Sequence, residues 1–128
     1  MKKLLVLVSA LSLTFFPACK DKETQPVVPP TITVTYKISP DNVSNCRLKY
    51  TAADGYEIVV EDNTGAAFSK DISVSLPFTA KASVVAYRKT ATDPVSCNVL
   101  ITGGQSFYQQ SQTITADSVV VEVSGTFQ

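Results

Sequence analysis

A chain of 128 residues has room for one compact domain, because domains commonly run to roughly 100–150 residues. Its eleven basic residues are matched by eleven acidic ones and it contains no histidine. Clustered cations for nucleic-acid phosphates are therefore missing, and so is the usual general base of nucleophilic catalysis.

The first eighteen residues read as a signal peptide. Lys2 and Lys3 make a positive start, Leu4 to Phe16 an uncharged apolar run, and Ala18 a small residue ahead of Cys19. The alternative, an uncleaved membrane anchor, needs about 20 apolar residues, whereas this run stops at Pro17 and charges follow from Lys20. The stretch Phe16-Pro17-Ala18-Cys19 resembles the lipobox of bacterial lipoproteins, with the looser upstream residues of Bacteroidota-type signals. The resemblance implies that Cys19 is acylated, for instance with palmitate, and becomes the new N-terminus. Without Lys2 and Lys3, nine basic residues face eleven acidic ones, a net charge of −2.

Residues 19–30 form the expected lipidated tether. Lys20 to Pro30 is charged and then proline-rich, with nothing to seed a core. Fully extended, its eleven residues reach about 35–40 Å. Its charged cluster resembles the export signal of surface lipoproteins, so the expected location is the cell envelope, lipid-anchored in the outer membrane, on its periplasmic or its outer side.

Residues 31–128 form the expected domain, and its pattern is β throughout. Short alternating runs rich in Val, Ile, Thr, Tyr and Ser predict strands near Thr31 to Ser39, Cys46 to Ala52, Tyr56 to Glu61 and Asp71 to Leu76. Four more are predicted at Ala82 to Lys89, Ser96 to Thr102, Ser106 to Ile114 and Ser118 to Thr126. Pro40, Pro77 and Pro94 fall at strand ends, where a missing N–H does least harm. Gly103-Gly104 reads as a hairpin turn.

One hairpin can be placed in register. A two-residue turn at Asp54-Gly55 would pair Leu48 with Glu61 and mix apolar with charged side chains on one face. A three-residue loop, Ala53-Asp54-Gly55 with Gly55 left-handed in a bulge, pairs Tyr50 with Ile58 and Leu48 with Val60. In the last strand, Val119, Val121 and Val123 share one side, and Val120, Glu122 and Ser124 the other. Sheets with one dry and one wet face stack in pairs. The expected fold class is all-β, a small antiparallel β-sandwich of seven or eight strands.

Cys46 alternates in phase with Leu48 and Tyr50, and Cys97 with Val99 and Ile101, so both thiols are expected in the core. An even pair in an exported domain allows a disulfide. Closing a loop of about fifty residues would add about 4 kcal/mol. The alternative is two buried free thiols acting as small hydrophobes. Two cysteines without histidine do not supply a four-ligand metal site, and no cofactor motif is present.

Asp41, Asp54, Asp62, Asp93 and Asp117 sit beside Asn, Gly, Pro or strand starts, where aspartate forms turns. That reading outweighs a loop-carboxylate hydrolase, and Glu61-Asp62-Asn63 reads as a loop in preference to a calcium site. Tyr36, Tyr50 and Phe78 are expected in the core. Phe107 and Tyr108 are adjacent, so one of them is expected outside.

With the strands laid out, Val34-Thr35-Tyr36-Lys37-Ile38, Leu48-Lys49-Tyr50-Thr51, Ala53-Asp54-Gly55, Leu76-Pro77-Phe78 and Val123-Ser124-Gly125-Thr126 resemble the MmpS-like (mycobacterial membrane protein small) family and its lipoprotein relatives in Bacteroidota. The resemblance implies an Ig-like or related β-sandwich outside the cytoplasmic membrane. It also implies, as one alternative, an accessory subunit of an envelope export or efflux transporter. The function expected from the residues is a non-enzymatic, lipid-anchored envelope module with no catalytic residues, which meets the membrane through Cys19 and has a possible envelope protein as partner.

Overall fold

The computed structural model describes residues 26–128. The expected signal peptide, the expected lipid site Cys19 and the expected tether up to residue 25 lie outside the described residues. Eight antiparallel strands follow in order: β1 (Thr31–Asp41), β2 (Val43–Thr51), β3 (Glu57–Asn63), β4 (Phe68–Ser75), β5 (Phe78–Arg88), β6 (Val95–Gly103), β7 (Ser106–Ile114) and β8 (Ser118–Phe127). They build two four-stranded sheets, ordered β4-β1-β6-β7 and β3-β2-β5-β8. This is the small all-β sandwich expected from the alternation.

The core comes from one side of each strand. Val34, Tyr36 and Ile38 of β1 are buried, as are Val119, Val121 and Val123 of β8, while Val120, Glu122 and Ser124 face water. Tyr50 lies opposite Ala82, and the small inner residues of β5, Ala80, Ala82 and Ala86, leave room for the rings of Tyr36 and Tyr50, which stack 5.2 Å apart. No polar or charged residue is buried among the described residues. The core therefore has no internal polar network to satisfy.

Only two connections stay within a sheet. The β2–β3 hairpin has the three-residue loop expected, with Tyr50 opposite Ile58, Leu48 opposite Val60, and Gly55 at φ +86°. Gly55 donates its N–H to the Ala52 carbonyl at 3.0 Å, and the Asp54 carboxylate accepts from the Tyr56 N–H at 3.1 Å. The β6–β7 hairpin pairs Gly103 with Ser106, so its turn is Gly104-Gln105, one residue beyond the Gly-Gly pair expected. Gly104 alone takes the left-handed conformation, at φ +57°, the pattern of a type II′ turn.

Several strands are longer than their hydrophobic patterns suggest. β2 starts at Val43, β4 at Phe68 and β5 at Phe78, ahead of Cys46, Asp71 and Ala82; each added stretch opens on an apolar residue that packs on the core and continues with polar outward ones, too short to register as an alternating run by itself. β1 runs through Pro40. β4 ends opposite Ile38, so one side of β1 is already unpaired at Pro40 and needs no donor there. Asp62 and Asn63 belong to β3, which corrects the loop expected at Glu61-Asp62-Asn63.

The two ends of the sandwich are tied differently. At one end Asn42, left-handed at φ +54°, turns the chain from one sheet to the other. Its side-chain amide donates to the carbonyls of Asp93 (2.8 Å) and Pro94 (3.2 Å) and accepts from the Thr90 hydroxyl (2.8 Å). Nearby, Arg88 donates to the Thr115 carbonyl and to the Asp117 carboxylate, both at 2.6 Å, and holds the β7–β8 loop. At the opposite end the Leu76 N–H donates to the Pro30 carbonyl at 2.9 Å, which fixes where the segment ahead of β1 meets the domain.

Candidate binding face

The outer face of the β3-β2-β5-β8 sheet is hollowed into a groove of about 980 Å³. It opens at the Pro30 end of the sandwich, with Gly55, Pro77 and Thr79 along its margin. Its floor is a product of strand parity: Lys49, Ser83 and Glu122 line up across β2, β5 and β8, and Lys81 lies opposite Ser124 in the next row. The Thr51 hydroxyl completes that row. It accepts from the Lys81 N–H at 3.1 Å and so extends the β2–β5 ladder by a side chain.

The charges of the groove are unequally engaged. Lys49 Nζ is 2.9 Å from Glu57. The pair is exposed and contributes little to stability, on the order of 0–1 kcal/mol. The ammonium of Lys81 and the carboxylate of Glu122 make no ion pair among the described residues. The groove thus offers one free cation and one free anion among the hydroxyls of Thr51, Thr79, Ser83 and Ser124. Such a surface can take the polar groups of a ligand from several sides.

It is poorly arranged for carboxylate-pair hydrolysis. Glu57 and Glu122 stand on the first and last strands of the sheet, three strand spacings across and two residues along, or about 16 Å apart at Cα. Acid–base pairs in glycosidases sit roughly 5–9.5 Å apart. Of the aspartates expected in turns, Asp54 and Asp117 engage neighbouring backbone and Arg88 respectively.

Cys46 and Cys97 are where the alternation places them, both buried, on β2 of one sheet and β6 of the other. They stand as free thiols. Burial, helped by the nearby Cys46, pushes the Cys97 thiol up to about 11. The Cys46 thiol is raised by burial and lowered in part by a hydrogen bond with the Gly65 backbone. Neither is a ready nucleophile at neutral pH.

Of the aromatic residues singled out, Tyr36, Tyr50 and Phe78 are in the core. Phe107 is 68% exposed while Tyr108 turns inward, packs edge-on against Phe127 with centroids 5.4 Å apart, and donates its hydroxyl to the Thr126 carbonyl at 2.7 Å. Lys49, Lys81, Ser83 and Glu122 carry no motif in the sequence. Each has outward parity within its own strand, but only the strand order shows that they share one floor.

Neither protein-family models, nor curated proteins, nor solved structures give a significant match to this chain.

Proposed function

We propose that the chain is a lipid-anchored, non-enzymatic module of the cell envelope, held to the outer membrane by acyl groups on Cys19, and that it binds a polar partner or ligand through the outer face of the β3-β2-β5-β8 sheet. The observation that carries the binding role is the groove itself, with Lys81 and Glu122 unpaired among clustered hydroxyls. The anchor rests on the apolar leader and the Ala18-Cys19 junction. The MmpS-like resemblance rests largely on residues that build core and turns, such as Tyr36, Leu48, Tyr50 and Gly55. It therefore supports an envelope sandwich, and transporter association does not follow from it.

The disulfide between Cys46 and Cys97 belongs to the same proposal. Both thiols are buried in the common core, one on each of the facing sheets, and an oxidising compartment favours joining such a pair.

Intact mass of the protein extracted from its native membrane tests the anchor. The expected result is loss of residues 1–18, addition of acyl chains, and a two-dalton gain on reduction, with the Cys19→Ala chain carrying no lipid. A retained leader without lipid would overturn the anchor, and an unchanged mass on reduction would overturn the disulfide. A photo-crosslinking residue at Ser83 tests the face in living cells. A discrete adduct that Lys81→Glu abolishes is expected, and the absence of any adduct would sink the binding role.

A further inference from the structure

Of the four free sheet edges, three are guarded and one is not. A free edge is a row of unpaired N–H and C=O groups that invites another strand, and proteins blunt it with charges, bulges or covering groups. β3 carries Glu57 and Glu61, and its pairing with β2 is broken by a register shift between Cys46 and Leu48. β4 carries Lys70 and Asp71. β8 carries Glu122 at its middle, and its Thr126 carbonyl is capped by the Tyr108 hydroxyl. β7 reads SFYQQSQTI: nine residues with no charge and no proline, paired with β6 without a shift.

The β6–β7 turn sets which groups of β7 are free. Gly103 and Ser106 flank a two-residue turn and form its hydrogen-bonded pair, so Tyr108, Gln110, Gln112 and Ile114 also bond to β6. Phe107, Gln109, Ser111 and Thr113 then point their N–H and C=O groups away from the sheet. The strand is ordered for pairing. The Asn98 side-chain oxygen accepts from Gln109 at 3.0 Å and from Ser111 at 2.8 Å, which fixes its outer side chains. Residues 109–113 are all exposed.

We propose that β7 is a self-association edge, and that two copies of this chain pair antiparallel, β7 to β7, about a two-fold axis through Gln110. Self-pairing sets each strand against its own sequence, and β7 is the one edge strand of the described residues that contains no charge. On β8 the same arrangement would bring Glu122 beside its own copy. With the axis at Gln110, Gln109 bonds to Ser111 of the second copy and Phe107 to Thr113, so every outward-pointing pair finds its complement over nine residues. Gln110 meets its own copy in the close, non-hydrogen-bonded pair, where Cβ atoms lie about 4.5–5.5 Å apart and glutamine amides can bond to each other. The two sandwiches then share a continuous eight-stranded sheet. The proposal does not depend on what the groove on the other sheet binds.

The test uses the full chain extracted from its native membrane in a non-denaturing detergent. Its detergent-corrected mass by light scattering is expected to be that of two chains, and that of one chain for Gln110→Lys/Gln112→Lys. These side chains make no hydrogen bond within the chain, so the variant keeps its β-sheet circular dichroism. The amides of Phe107, Gln109, Ser111 and Thr113 exchange at least tenfold faster in the variant. Gln110→Cys closes to a covalent dimer on mild oxidation, independently of any loss of folding. A single-chain mass for the unaltered protein, a dimer that survives the two lysines, or a Gln110→Cys chain that does not cross-link would overturn the proposal.

Discussion

Tyr36 crosses the core from β1 and donates its hydroxyl to the Thr51 carbonyl on β2 at 2.8 Å, one of few polar contacts that join the two sheets. Burial pushes its phenol up to about 12; the Thr51 bond acts against this in part, and the neighbouring Tyr50 adds to it. The unfolded phenol ionises near 10, so between pH 10 and 12 the unfolded chain loses a proton that the native one keeps. Stability from this residue is complete below pH 10 and falls through pH 12, by about 3 kcal/mol in all. The free thiols of Cys46 and Cys97 act in the same direction from about pH 9. Urea unfolding of the reduced protein at pH 8, 10 and 11 is expected to show midpoints that fall with pH. Tyr36→Phe should start about 1 kcal/mol less stable at pH 8, from the lost hydrogen bond, and decline less steeply above pH 10. Equal slopes for the two proteins would refute this assignment. That Tyr36 is buried is legible from its alternation with Val34 and Ile38. Its acceptor is not, because Thr51 is fifteen residues away on the facing sheet.

At the scale of elements, the seam between β7 and β8 depends on the absence of a side chain. Gly125 of β8 is overlain by the Tyr108 ring, so that a methyl group at 125 would overlap it. Gly125→Ala should displace the ring, break its bond to the Thr126 carbonyl, and cost about 3 kcal/mol. In a Tyr108→Ala background the same change meets open space and should cost under about 1 kcal/mol, a coupling of about 2 kcal/mol. Denaturant titration of the four proteins of this cycle measures it, and additive costs would show that the ring does not depend on the glycine. The sequence marks Gly125 only as a glycine in a strand pattern. The β2–β3 hairpin lies at the other extreme, since the alternation of Leu48 and Tyr50 with Ile58 and Val60 admits one loop length, and the structure has it. Strand starts are less legible: residues such as Ser69 and Thr79 extend β4 and β5 through backbone pairing that side-chain hydropathy does not report.

For the whole molecule, chain alternation determined a great deal. It specified seven or eight strands, an all-β sandwich, which side of most strands faces inward, the burial of Cys46 and Cys97, and the register of one hairpin. The proposed leader and Cys19 anchor likewise rest on a local pattern. These are properties of residues within a few positions of one another, where a period of two and a turn residue carry the information. The order β4-β1-β6-β7 and β3-β2-β5-β8 was decided only in three dimensions. Five of the seven connections pass from one sheet to the other, so a strand's neighbours are set by how the inner faces pack and not by nearness along the chain. The groove containing Lys49, Lys81, Ser83 and Glu122, and the contrast between three guarded edges and the bare edge of β7, follow from that order. No local pattern encodes either, because each is made of residues that become neighbours only when the two sheets close on their common core.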